Sequence, residues 1–94
     1  MNELLKVKEV RIYSNSWVAN NSFQIDLVGP DDTPVSGGTR IFDTSNGTLT
    51  IGEDFAWYNP QMDKEYALAI RVSNLGTANF TINKIEVDYK AGGE

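Results

Sequence analysis

The chain has 94 residues, of which 40% are hydrophobic and 22% charged, and this is the size and composition of one small globular domain. It contains neither cysteine nor histidine, which excludes disulfides, thiolate or imidazole metal sites, and any nucleophile–base pair built on those residues. The net charge of −5 argues against nucleic acid and against anionic membranes as partners, because both require a surplus of cations.

The two ends of the chain give no sign of a signal peptide or a membrane span. No basic start precedes an apolar run at the N-terminus, and the apolar stretches are only three or four residues long. We expect residues 1–90 to form a single domain and residues 91–94 to be a C-terminal tail. Either the protein acts without Sec-type export, or it is an excised module.

Alternation of apolar and polar residues with period two dominates the chain, and no window has a helical stripe. Clusters of Gly, Asn, Asp and Pro separate the alternating segments, which is typical of short antiparallel strands. The sequence therefore predicts an all-β fold, an antiparallel β-sandwich or jelly roll of about 7–8 short strands. The clearest strand segments are 5–13, 23–28, 39–43, 48–51, 55–58, 66–73 and 80–89.

Two of these segments change phase partway. In the first, apolar residues occupy odd positions up to Val7 and even positions from Val10 onward. Because a slip of one residue exchanges the two faces of a strand, we expect a β-bulge near residues 8–9, or a strand that passes from one sheet to the other. The last segment changes phase in the same way at residues 83–84.

A hairpin is predicted at Asn46 and Gly47, since both residues tolerate positive φ and lie between apolar runs at 41–42 and 49–51. The side chains expected to face inward are numerous enough for one hydrophobic core. They are Val7, Ile12, Phe23, Ile25, Leu27, Ile41, Leu49, Ile51, Phe55, Leu68, Ile70, Val72, Phe80, Ile82 and Val87.

Catalysis would have to rest on pairs of carboxylates, and all candidates lie in predicted turns, where acidic residues are common for other reasons. A sandwich of this size also has little room for a deep cleft. We therefore expect no enzymatic activity and no cofactor.

The same turns offer oxygen ligands to calcium, but no spaced loop motif is present, and solvated turn residues are the favoured interpretation. The residues concerned are Asp31, Asp32, Glu53 and Asp54 as calcium candidates, with Asp43 and Asp63 as further carboxylates.

Exposed aromatic residues are the more informative feature. Trp17 lies in a polar stretch between strands, and Tyr13 lies at a strand end. Trp57 and Tyr58 are adjacent, so in a strand one of their rings must leave the core. Aromatic rings among amides and carboxylates can stack on sugar rings. Alternatively, both tryptophans are structural. We favour this for Trp57, which would pack in the core beside Phe55. For Trp17, an exposed binding position and a buried position that closes one end of the sandwich both remain open.

The closing segment, residues 79–89 (Asn-Phe-Thr-Ile-Asn-Lys-Ile-Glu-Val-Asp-Tyr), resembles the last strands of bacterial carbohydrate-binding modules. The small size, the bare Met start and the lack of a secretion signal also make the chain similar to small phage capsid decoration proteins, some of which are jelly rolls of related shape. The resemblance implies a jelly-roll or β-sandwich fold and a place on a virion surface or in a secreted enzyme. It assigns no binding residue in this chain.

Two functions from different classes follow. The first is a structural protein of a virion surface, assembled in the host cytoplasm, that contacts capsid subunits or its own copies through strand edges and terminal arms. The contact residues would be Leu4, Leu5, Trp17 and Tyr89. The alternative is a carbohydrate-binding module from a secreted enzyme, in which Trp17, Trp57 and Tyr58 stack on glycans.

Overall fold

The computed structural model of the chain describes residues 5–62 and 66–91. Six β-strands make up its regular structure, and no helix of bilayer-spanning length and hydropathy occurs within those ranges. The strands are β1 (Leu5–Ser14), β2 (Ser22–Val28), β3 (Arg40–Asp43), β4 (Phe55–Tyr58), β5 (Ala69–Asn74) and β6 (Ile82–Ala91).

The strands form two antiparallel three-stranded sheets. Sheet A has the order β4-β1-β6 and sheet B the order β3-β2-β5, so β1 and β2 are the central strands. The inner faces of both sheets supply one buried cluster, which includes Val10 and Ile12 of sheet A and Phe23 and Ile25 of sheet B. The all-β sandwich expected from the sequence is confirmed, with six strands among the described residues rather than seven or eight.

The strand predicted at residues 48–51 is absent, because polar side chains hold this segment in a local turn. The backbone N–H of Asp43 donates to Oγ1 of Thr48, and Oγ1 of Thr48 donates back to the carbonyl oxygen of Asp43. Such local bonds compete with a strand ladder. The turn itself is present, with Gly47 at φ +84°, but the second strand of the hairpin is not.

Both predicted phase changes are confirmed by the pairing of β1 with β6. The register shifts between Val7 and Glu9, and again between Tyr13 and Ser14, where the partner strand skips Asn83. The first shift lets Val7 and Val10 both face the core although their numbers differ in parity. β6 ends at Ala91, one residue into the predicted tail.

Part of the predicted core is wrong. Ile41 and Ile51 are exposed and Val72 lies at the exposed margin, whereas Phe42 is buried in place of Ile41. For Ile41 the cause is register, since Phe42 pairs with Phe23 on the inner face and Ile41 pairs with Gln24 on the outer face. Val72 lies opposite the buried Ile25, but on the edge strand β5, and Ile51 lies in a turn before β4. Phe55, Leu68, Ile70, Phe80, Ile82 and Val87 are half-buried rather than enclosed.

The central strand of sheet B is buried on both faces. Asp26, on the outer face, is only 3% exposed and accepts hydrogen bonds from Gln24 Nε2 at 2.9 Å and Thr39 Oγ1 at 2.8 Å. Arg71 on β5 lies 3.7 Å from the same carboxylate. These partners satisfy a charge that would be costly to bury alone.

Candidate functional site

Trp17 is a core residue, so the expectation that it forms part of an exposed stacking or contact surface is wrong. Its side chain is 0% exposed and packs on Phe23 and Phe80, with ring centroids 5.4 and 6.1 Å away. The indole N–H donates to the carbonyl oxygen of Phe55 at 3.2 Å, and the backbone N–H donates to that of Glu53 at 2.8 Å. Trp17 therefore closes one end of the sandwich.

The adjacent residues Trp57 and Tyr58 separate to opposite faces of β4, as their spacing requires, but in the order opposite to the one we favoured. Tyr58 is buried, and its hydroxyl donates to the carbonyl oxygen of Gly38 at 3.1 Å. Burial, and then the nearby Asp26 carboxylate, raise the pKa of the Tyr58 hydroxyl. Trp57 is 54% exposed on the outer face of sheet A. A glycan platform of Trp17, Trp57 and Tyr58 is therefore not assembled.

Trp57 instead shares the outer face of sheet A with Tyr13 and Phe55, and we call these three residues the aromatic face. Tyr13 lies opposite Phe55 in the β1–β4 register, and their ring centroids are 5.0 Å apart. Arg11 lies opposite Trp57 on one side and Glu86 on the other. Phe55 was expected to face the core, but it lies on the face of β4 opposite to the buried Ala56 and Tyr58. The sequence did not indicate that Arg11 and Glu86 accompany Trp57, because only the strand register shows it.

A network of charges borders the aromatic face. Glu86 accepts a hydrogen bond from the Tyr13 hydroxyl at 2.6 Å, and it pairs with Lys84 at 3.2 Å and with Arg11 at 3.4 Å. Arg11 also pairs with Glu9. Hydrogen bonds from Tyr13 and then Lys84 lower the pKa of Glu86, and the bond to Glu86 raises the pKa of Tyr13.

A second surface lies on the side of the sandwich where β5 and β6 run, and we call it the open side. Within the described ranges, β5 pairs only with β2 and β6 only with β1, so each has an unpaired edge. An apolar groove of about 310 Å³ lies between them. Its lining includes Val7, Leu27, Ala67, Ile70, Val87 and Tyr89.

The contact residues predicted at the chain ends fall in different places. Tyr89 is 52% exposed at the margin of the groove on the open side. Leu5 begins β1 opposite Ala91, and Leu4 lies outside the described residues. Of the predicted set, the structure therefore brings Tyr89 to one surface and Tyr13 and Trp57 to another.

The calcium candidates are not assembled into a site. Asp31 and Asp32 lie in the loop after β2, and Glu53 and Asp54 lie just before β4. Across residues 5–62 and 66–91, no three acidic side chains come close enough together to hold a metal ion. Asp63 lies outside the described residues. The carbonyl oxygens of Glu53 and Asp54 instead accept backbone hydrogen bonds from Trp17 and Ser14.

Comparison with known proteins finds no matching family model, no matching curated protein and no matching solved structure.

Proposed function

We propose that this protein is a non-enzymatic structural protein that decorates or cements the surface of a virion. It would be added to the particle in the host cytoplasm. The observation that supports this proposal is the open side, where two unpaired strand edges flank one apolar groove. The resemblance to small capsid decoration proteins of jelly-roll type agrees with it.

The open side suits an extended strand from a neighbouring subunit. β6 is 10 residues long, which corresponds to roughly 33 Å of edge. Its unpaired backbone N–H and C=O groups are a template for strand addition, and the groove beside it accepts apolar side chains from the added strand. A long unpaired edge promotes unspecific pairing, and the charged side chains of β6 restrict which strands can pair with it.

The charges on β6 disfavour one way of pairing two β6 strands, the antiparallel register centred on Val87. Lys84, Glu86, Asp88 and Lys90 follow each other at every second position. Two antiparallel β6 strands centred on Val87 would place lysine opposite lysine and carboxylate opposite carboxylate. Like charges directly opposite each other destabilise a strand pair. A capsid strand with the complementary order, acidic at its ends and basic in its middle, avoids this repulsion.

No reaction is part of the proposal. The sequence supplies no imidazole or thiol for nucleophilic or general-base catalysis, and its carboxylates take part in turns and ion pairs. Recognition by surface contact needs none of these groups.

The proposal is tested with particles of the virus whose genome encodes the chain, purified by density gradient from a lysate of infected cells. We expect mass spectrometry to find the chain in the particle fraction, and we expect added wild-type protein to co-sediment with particles stripped of it. Tyr89→Lys should lose co-sedimentation, because a charge then stands at the margin of the groove. Ile51→Lys, which alters an equally exposed apolar residue elsewhere, should retain it. Absence of the chain from particles, or equal loss in both variants, contradicts the proposal.

A further inference from the structure

We propose that the aromatic face of sheet A, with Arg11 and Glu86 beside it, is a binding site for an uncharged pyranose glycan. This inference goes beyond the assembly function, because it uses the outer surface of sheet A and leaves the groove unoccupied, although Glu86 of β6 belongs to both surfaces. It also differs from a platform of Trp17, Trp57 and Tyr58, two members of which are buried.

The first support is the exposure and placement of the rings. Trp57 is the large aromatic side chain with the greatest exposure among the described residues. Packing in the core therefore does not explain why a tryptophan occupies this position. Phe55 lies two residues away on the same strand, roughly 7 Å along it, and Tyr13 lies opposite Phe55 on β1, with the Tyr13 and Phe55 ring centroids 5.0 Å apart. The exposed indole of Trp57 therefore provides the stacking surface for one sugar ring. Phe55 and Tyr13 lie beside it, and the Lys84 ammonium is 5.4 Å from the centroid of the Tyr13 ring.

The second support is the balance of charge. The groups that border the rings are two cations, Arg11 and Lys84, and two carboxylates, Glu9 and Glu86. Arg11 pairs with both carboxylates, and Lys84 pairs with Glu86. A phosphate or sulfate would meet carboxylates here, and a cationic ligand would meet Arg11 and Lys84. A neutral ligand is repelled neither by the cations nor by the carboxylates.

The third support is hydrogen-bonding chemistry. A sugar hydroxyl both donates and accepts, and it therefore fits a guanidinium donor next to a carboxylate acceptor. Arg11 and Glu86 offer this pair 3.4 Å apart beside the indole of Trp57. The apolar CH face of the sugar would stack on the ring while its hydroxyls bind these two groups.

Affinity electrophoresis in gels that contain hydroxyethyl cellulose, xylan or galactomannan tests the site, with heparin as the anionic comparison. We expect at least one neutral polysaccharide to retard the wild-type protein and heparin to have no effect. Trp57→Ala should weaken the retardation by about tenfold, the loss expected when one aromatic stacking partner is removed. Leu75→Ala, a truncation at a similarly exposed apolar residue just after β5, should leave it unchanged.

A fluorescence measurement on the wild-type protein covers the case in which Trp57→Ala does not fold. Trp17 is enclosed, so acrylamide quenches mainly Trp57, and the retarding polysaccharide should protect that fluorescence. Trp57→Phe should remove the protected signal. The inference is overturned if no neutral polysaccharide retards the protein, if heparin alone does, if Trp57→Ala is retarded as strongly as the wild-type protein, or if bound polysaccharide leaves quenching unchanged.

Discussion

The two tryptophans show how the same residue type takes opposite roles in one small fold. Trp17 is in a loop, but its backbone and its indole N–H are both hydrogen-bonded to the segment that leads into β4, and this holds the ring over the core. Trp57 is in a regular strand, where alternation places it outside because Tyr58 is inside. Burial therefore follows from local hydrogen bonding and strand parity rather than from residue type.

Trp17→Ala should lower the free energy of unfolding by about 3–5 kcal/mol, because it leaves a cavity between Phe23 and Phe80 and removes the indole hydrogen bond to Phe55. Trp57→Ala should change it by no more than about 0.5 kcal/mol, as is usual for a surface substitution. Urea denaturation followed by circular dichroism measures both values. Equal effects of the two substitutions would contradict the placement of Trp17 in the core.

The pKa of Glu86 is the second measurable quantity at this scale. In the folded protein it lies below the ordinary value of 4.5, and the Tyr13 hydroxyl is the first cause. A lowered folded pKa favours the ionised form, so this contribution to stability is present above pH 4.5 and is lost as the pH falls through the folded pKa. In an NMR titration, Tyr13→Phe should raise the pKa of Glu86 toward its ordinary value. An unchanged pKa would show that the hydroxyl does not act on this carboxyl.

At the scale of elements, the strands and their irregularities could be predicted wherever periodicity carries the information. The bulge in β1 and the irregularity in β6 were visible as parity changes, and the separation of Trp57 from Tyr58 was visible as adjacency. The second hairpin strand was mispredicted, because side-chain hydrogen bonds between Asp43 and Thr48 outweigh the apolar alternation there. The aromatic face could not be predicted, since it depends on which strands are neighbours.

The connection between β5 and β6 depends on a close approach at Gly76. Its N–H donates to the carbonyl oxygen of Ser22 at 3.1 Å, and a Cβ there would collide with the carbonyl oxygen of Asn20. Gly76→Ala should therefore cost about 3 kcal/mol, at the upper end for overpacking. Gly47→Ala, with positive φ but open space around it, should cost only about 1 kcal/mol. Thermal unfolding of both variants compares them, and a smaller cost at Gly76 would contradict this packing.

At the scale of the whole molecule, the two sides of the sandwich differ in how the core is covered, although edge strands flank both of them. The connection between β3 and β4 places Leu49 in the core on one side. On the other side, the half-buried Ile70 and Val87 mark where the core continues toward solvent. The proposed assembly function uses this asymmetry, and the proposed glycan site uses a different face, so one molecule has room for both.

Amide hydrogen exchange of the purified chain, measured residue by residue by NMR, tests the open side most directly. The account predicts protection at nearly every amide of the central strands β1 and β2. In β5 and β6 it predicts alternation between protected amides, which bond to the neighbouring strand, and fast-exchanging amides, which point outward. Continuous protection along β6 would mean that this edge is already covered and would contradict the account.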